Sequence, residues 1–535
     1  MPTASQIIAR RLYDAGCRHA FGIPGGEVMV LMEALDRVGI EMHLVKHENC
    51  AGFMGEGVFH CDGAPAILIA TIGPGIANAI NVIANALQDR VPMIALTGCV
   101  PALEQHTYTH QVLDHLKLAG EVTKAAFRVE AGTAAVLADK AVAIALQDRQ
   151  GPVLLDVPID VQKSQENPVW PRRAGLSIVG PAPGPDLDLA RNWFAEAEKP
   201  LVIAGVDALN QDGAKAVADF CRDHEIPLVT SYKGKGILPE TDPLCLGGAG
   251  LAPSADAKLL PLVQQSDCVI LAGYDPIEMR MGWQNVWDDG ARVIDFSAVA
   301  NTHYMHQAAL NFVGNVAAGL AALEAGDNKP KSSWSGAEPA AVRQQLRETL
   351  NLDEEWGPAA VIDECRKALP DETIVTVDSG AHRILLSQAW QCLEPRGMLQ
   401  SSALCTMGCA VPLAIGRKIA EPSRPVAAFI GDAGLEMFLG ELATIREKKL
   451  GIPIIVFVDE SLGLIELKQR GSQMANLAVD FEGSDFPAIA KALGGYGRWC
   501  DTRQEVSREI SAGLDRDSFT LIAARIGRKA YEGRL

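Results

Sequence analysis

Two acids stand where two apolar runs end in the last third of the chain. The first lies in Val426-Ala-Ala-Phe-Ile-Gly-Asp-Ala-Gly434, where a strand runs into a small-residue turn holding Asp432 and a helical pattern follows from Glu436. The second lies in Ile454-Ile-Val-Phe-Val-Asp-Glu-Ser-Leu-Gly463, which puts Asp459 27 residues after Asp432. A turn of this kind brings backbone N–H groups to an anion, and a helix N-terminus adds favourable charge. A lone acid there equally fits an ordinary helix cap. Two parallel strands joined by one helix bring their tips together. Two carboxylates and a loop carbonyl then make half of an octahedral site, which phosphate oxygens and water can complete. The chemistry this suits is a hard divalent cation neutralising phosphate.

The elements that must carry these acids read as α/β throughout. Apolar runs at Ala66–Ala70, Val91–Leu96 and Val153–Val157 alternate with helical patterns in a first block. Pro200–Gly205, Cys268–Gly273 and Ala291–Phe296 do so in a second, and Thr373–Val377, Pro425–Ile430, Ile452–Val458 and Phe519–Ala524 in a third. Short buried runs followed by Gly or Pro and separated by helical periods indicate parallel β/α units. Segments 162–186 and 325–338 lack periodicity and read as linkers. The expected architecture is three doubly wound parallel-sheet domains, over residues 1–165, 187–324 and 339–535.

Bulk properties narrow the function. The 535 residues carry a net charge of −18, which argues against nucleic acid or an anionic membrane as partner. The 12 cysteines form no close-set framework, so reduced thiols and a cytoplasmic location are expected. The most apolar stretch, Ile67 to Leu87, is interrupted by Gly, Pro and Asn and makes a poor membrane span.

The acid-bearing region resembles the diphosphate-binding motif of thiamine diphosphate enzymes, which runs Gly-Asp-Gly and then, some twenty-five to thirty residues on, Asn-Asn. Ala433 stands for the third Gly, and Asp459 for the usual metal-binding Asn. The resemblance implies Mg2+ held by Asp432, Asp459 and Ser461, the last through its backbone carbonyl. Gly431, Ala433, Gly434, Leu462, Gly463 and Leu464 would then lie along thiamine diphosphate. His47-Glu48-Asn49 resembles the segment with the family's activating glutamate, whose carboxylate binds a pyrimidine nitrogen. Gly22-Ile23-Pro24-Gly25-Gly26, the segment Thr71–Asn78 and the run Gly151–Gln162 match further family segments in order. Ile23, Pro24, Gly25, Pro74 and Asn78 are the cofactor-binding residues these imply. Asp378-Ser-Gly-Ala-His382 resembles the stretch approaching the diphosphate, which implicates Ser379, Gly380 and His382. Thr406 and Met407 sit where acetolactate synthase-like members place a methionine beneath the cofactor, although a core methionine is the commoner role. The family's domain order would be pyrimidine-binding, central and diphosphate-binding. Its site lies between subunits, so a homodimer or homotetramer is implied.

Within the family the chain looks most like flavin-free acetolactate synthases. Thr97–Pro101 through Gln111 aligns with that group's substrate-side segment, making Gln111 and His110 catalytic candidates, with His106 and His115 nearby. These histidines suit proton donation near pH 7 or are surface residues. The Gly273–Glu278 segment lacks the Arg of biosynthetic members, so FAD is not expected. Glu466 and Lys468 read as solvated helix residues. The implied reaction is decarboxylation of a 2-oxo acid with carboligation of the resulting enamine to a second carbonyl. A simple decarboxylase, a C–C lyase on an aldehyde or other carbonyl substrate, and a non-catalytic thiamine diphosphate binder stay open. A nicotinamide dehydrogenase would need a Gly-x-Gly-x-x-Gly after a strand, which is absent.

Overall fold

The computed structural model describes residues 1–170, 177–277, 279–325 and 328–535. Part of each expected linker, and Glu278, lie outside the described residues. Among the described residues, eighteen strands form three six-stranded sheets in which every strand pairing is parallel. The first sheet holds β1 His19–Gly22, β2 Glu41–Leu44, β3 Ala66–Ala70, β4 Met93–Cys99, β5 Ala125–Arg128 and β6 Pro152–Pro158. The second holds β7 Pro200–Ala204, β8 Leu228–Thr230, β9 Cys245–Gly248, β10 Cys268–Ala272, β11 Arg292–Ser297 and β12 Leu310–Val313. The third holds β13 Ile374–Val377, β14 Met398–Gln400, β15 Val426–Gly431, β16 Pro453–Val458, β17 Tyr496–Cys500 and β18 Thr520–Arg525.

The orders are β2-β1-β3-β4-β6-β5, β12-β11-β10-β7-β8-β9 and β14-β13-β15-β16-β18-β17. The first and third are the same order when each sheet is counted from its own first strand. Central strands such as β3, β10 and β16 are buried along their whole length because helices cover both faces, which is why they are uninterrupted apolar runs. In open sheets of this kind, ligands bind beyond the carboxyl ends of the strands where the order reverses. In the third sheet that point lies between β13 and β15, and in the first between β1 and β3.

The first and third units pack directly on one another. Helix Glu48–Asp62 crosses helix Ala410–Ala420 so closely that a Cβ on Gly57 would sit 2.4 Å from the Leu413 carbonyl oxygen. A Cβ on Gly416 would sit 1.8 Å from that of Met54, so glycine is required on both sides of the crossing. Among the described residues, no helix is long and apolar enough to cross a membrane.

Candidate active site

β13, β15 and β16 are neighbours in the third sheet, and each delivers one acid at its carboxyl end: Asp378, Asp432 and Asp459. All three are buried. The helix after β15 begins at Asp432 itself and not at Glu436, runs to Met437, and a second helix, Glu441–Lys448, takes over. Gly431, and not Asp432, is the helix cap. The Asp432 carboxylate instead accepts backbone N–H groups from Ala433 (2.8 Å), Asp459 (3.1 Å) and Glu460 (2.8 Å). It therefore ties the tip of its own strand to the tip of the next.

Burial works against charge in this cluster. It raises the Asp432 carboxyl to about 6 against the N–H donors that lower it. Burial, then the charge of Asp432, raises Asp459 to about 8. Asp378 is raised to about 6 by burial, while its Oδ1 accepts from the Cys409 N–H at 2.8 Å. Its other oxygen, Oδ2, has no partner, and a Cβ on Gly434 would lie 2.1 Å from it. Gly434 is thus required because the Asp378 carboxylate occupies the space.

Asp432 and Asp459 line a cavity of about 270 Å³, and Asp378 lies buried behind its wall. Ser379, Gly380, His382, Met407, Gly431, Ala433, Gly434, Ser461, Leu462, Gly463 and Leu464 line it with Asp432 and Asp459. Helices Ala381–Ala389 and Gly463–Gly471 both start at its wall, and the first turn of a helix has N–H groups without a partner inside the helix. His382 is stacked on Phe457 at 5.3 Å, and burial, then Arg383, lowers its imidazole to about 3, so the ring is neutral at pH 7. The Ser379 Oγ and His382 Nε2 are buried without a partner. Orphaned donors facing a pair of high-pKa carboxylates fit a ligand that brings both a cation and anionic oxygens. Thiamine diphosphate with Mg2+ has that composition.

Sequence reasoning missed Tyr531. The C-terminal segment comes back to the cavity and sets this buried phenol against its wall; burial, then Asp459, raises its hydroxyl well above the usual range. An ion pair between Arg470 and Glu532 at 2.6 Å pins the segment. A lone aromatic in a charged tail carries no periodic signal that could have found it.

The remaining candidates gather elsewhere. Ile23, Pro24 and Gly25 follow β1, Glu48 opens the helix after β2, and Pro74 and Asn78 lie in helix Pro74–Gln88 after β3. They therefore lie around the switch point of the first sheet, as the three acids lie around that of the third. Glu48 is buried, and its Oε2 accepts from Asn78 Nδ2 at 3.0 Å. His47 caps its helix through Asn49. Among the described residues, none of this first-unit set lines the cavity. Thr406 is next to it and bonds Asn81.

One histidine expectation changes. His115 is fully buried, holds Asp156 at 3.0 Å and the Gly73 N–H at 3.3 Å, and so braces a turn in place of facing solvent. His106, His110 and Gln111 lie on an exposed loop outside the cavity, with Gln111 at φ 59°. The Gln111 carbonyl comes so near Gly73 that a Cβ there would be 2.3 Å away, so this loop is carried on the first unit's switch point. Lys468 is exposed, as a solvated helix residue requires, whereas the Glu466 side chain is only 12% exposed and pairs with Arg470 at 3.0 Å.

Three family models match the chain. The thiamine pyrophosphate enzyme N-terminal TPP binding domain matches residues 2–118, the central domain 187–323 and the C-terminal TPP binding domain 378–524. Curated relatives span nearly the whole chain. "Acetolactate synthase" of Bacillus subtilis (strain 168) is 26% identical, covering 97% of this chain and 92% of the relative. The large subunits of acetolactate synthase isozymes 1 and 2 of Escherichia coli (strain K12) are each 28% identical over 98% of this chain, and over 94% and 95% of their own lengths.

Proposed function

Because this chain belongs to the thiamine pyrophosphate enzyme family, we propose that it decarboxylates a 2-oxo acid and joins the remaining fragment to a second carbonyl, as an acetolactate synthase-like enzyme. The observation that carries this reading is the convergence of Asp432 and Asp459 on one cavity that also holds Met407.

When bound, thiamine diphosphate supplies the nucleophilic carbon and the electron sink that cleavage next to a carbonyl needs. Asp432, Asp459 and the Ser461 carbonyl would hold Mg2+ in this reading, a cation that would offset their charge together with that of the diphosphate. Ser379 and His382 meet diphosphate oxygens with the donors that are now unpartnered. His382 suits this role because its neutral ring donates without adding a charge. Met407 presents an apolar surface inside the cavity. Glu48 keeps one oxygen for a ring nitrogen of the cofactor while Asn78 holds the other. Its carboxylate would hold or release a proton at that nitrogen.

Glu48 and the cavity belong to different units of the chain, and Glu48 does not line it. We read the complete site as formed by two copies, with the Glu48 set of one copy closing the cavity of the other. Gln111 and His110 then approach substrate from the exposed loop carried by the same first-unit set.

The absence of FAD from this reading rests on the second sheet. Its switch point lies between β7 and β10, where a dinucleotide would place its pyrophosphate. Asp207 and Asp275 stand there, both paired with Arg149 (3.1 and 3.2 Å), and Asp275 also with Arg90 at 2.8 Å. The arginines at that point are already engaged by these two carboxylates, and the acids themselves oppose the charge of a pyrophosphate.

The test is CO2 release by purified protein with thiamine diphosphate and Mg2+ over a panel of 2-oxo acids, pyruvate first, with products identified by mass spectrometry. A carboligation product supports the proposal. Aldehyde alone makes the chain a decarboxylase, and no release with the cofactor bound moves it to a C–C lyase or a binder.

A further inference from the structure

Helix Pro74–Gln88 and the residue that follows it carry four polar side chains on one stripe: Asn78, Asn81, Asn85 and Asp89. Steps of three and four residues place them one above another on the same face. Asn78 holds Glu48. The other three all reach into the third unit and grip one loop, residues 401–407. Asn81 Oδ1 accepts from the Thr406 hydroxyl at 3.0 Å. Asn85 Oδ1 accepts from the Ser401 hydroxyl at 2.6 Å, and Asn85 Nδ2 donates to Glu56 at 3.2 Å. The Asp89 carboxylate accepts the backbone N–H groups of Ser402 (2.9 Å) and Ala403 (2.8 Å), and pairs with Lys233 at 2.8 Å.

Holding two units together does not need this arrangement. Asn85, Asp89, Glu56, Ser401 and Ser402 are all buried, and burying such groups costs free energy that an apolar contact avoids. What hydrogen bonds supply is direction. Two of them end on successive loop N–H groups, and the Ser401 hydroxyl passes the constraint on by accepting from the Thr406 N–H at 2.9 Å. Between these anchors Cys405 is held at φ 53°, a left-handed conformation that a side chain disfavours. Two residues on, Met407 lines the cavity. Gly408 follows at φ 84°, where a Cβ would lie 2.1 Å from the Phe438 ring. The loop therefore has one path, fixed on one side by the stripe and on the other by the third unit.

We infer that Asn81, Asn85 and Asp89 are positioning residues that set where Met407 stands against the cofactor. This deepens the proposed function and rests on it. A methionine side chain is flexible, so its placement has to come from the backbone that carries it.

The experiment is a double-mutant cycle of Asn81→Ala with Met407→Ala in the full-length protein. Asn81 is exposed and loses only its bond to Thr406, and Thr406→Val breaks the same bond from the other side. Binding of thiamine diphosphate with Mg2+ to the unmutated protein is measured first by calorimetry; no binding there overturns the proposed function itself. With binding present, we expect Asn81→Ala and Thr406→Val each to lower kcat about tenfold, with KM for the 2-oxo acid nearly unchanged. Both variants are also expected to alter the near-ultraviolet circular dichroism of the bound cofactor. In the Met407→Ala background Asn81→Ala is expected to have no further effect, because its action passes through Met407. Independent, multiplying effects in the cycle, or a lowered melting temperature with an unaltered cofactor spectrum, overturn the positioning role and leave a structural one.

Discussion

The carboxylate of Asp432 accepts the backbone N–H of Asp459 at 3.1 Å, so the first acid fixes the strand tip from which the second projects. The two carboxyls are thereby held together, and without a cation the pair resists full ionisation: Asp459 is raised to about 8 and Asp432 to about 6. A carboxyl raised above its unfolded value of 3.8 binds a proton in the folded state that the unfolded chain has already released. Between pH 4 and 8 the unfolded state therefore holds fewer protons, and metal-free stability falls as pH rises through that window. Thermal melting in EDTA at pH 6 and pH 8 should show the lower midpoint at pH 8. Mg2+ with thiamine diphosphate should remove the difference, because the bound cation replaces the proton. An EDTA midpoint that rises toward pH 8 would count against the metal assignment.

Substituting Asp459→Asn should act on the same pair. Removing one charge relieves the repulsion, so the metal-free midpoint at pH 8 should rise by about 1 °C, the size expected for roughly 1 kcal/mol in a chain of 535 residues. The pH dependence between 6 and 8 should flatten. Mg2+ affinity, followed by titration calorimetry with thiamine diphosphate present, should weaken but persist, since the amide oxygen still coordinates. Complete loss of metal binding would show that the second charge is required.

Much of this geometry was legible in the sequence because central parallel strands are buried on both faces. Ala66–Ala70 was readable to the residue, and the runs ending near Val377, Ile430 and Val458 were within two residues of β13, β15 and β16. Edge strands were not. β5, with every residue half-buried, and β17, whose Tyr496, Gly497, Arg498 and Trp499 all keep some exposure, pair on one side only and mix polar with apolar residues. No sustained apolar run marks them. The same limit applied to the site. Asp432 and Asp459 were found because a strand leads to each. The burial of His115 against Asp156 depends on a partner 41 residues away, and Tyr531 reaches the cavity only through the closing of the tail.

Glu48→Gln should separate binding from turnover. Gln keeps the shape and can still meet Asn78, so the fold and the helix cap at His47 are expected to survive. It no longer takes up a proton at the ring nitrogen. CO2 release should fall at least about a hundredfold, the range for a lost general acid–base group. Calorimetric affinity for thiamine diphosphate with Mg2+ should change only a few-fold. Unchanged turnover would remove Glu48 from the chemistry.

Mixing inactive variants tests whether the site is shared between copies. Glu48→Gln damages the first-unit set, and Asp432→Ala damages the cavity. If two copies build each site, a mixed dimer contains one site with both defects and one with neither. Random reassociation of equal amounts then returns roughly a quarter of the unmutated CO2 release, since half the dimers are mixed and each has one sound site. If Glu48 and Asp432 of one chain served the same site, every site in the mixture would carry a defect, and mixing would restore nothing. The two chains differ at one residue each, so mass spectrometry under native conditions can verify that exchange has occurred before the activity is read. The cavity's wall, which holds third-unit residues and Leu251 but no first-unit side chain, is what makes recovery the expected result.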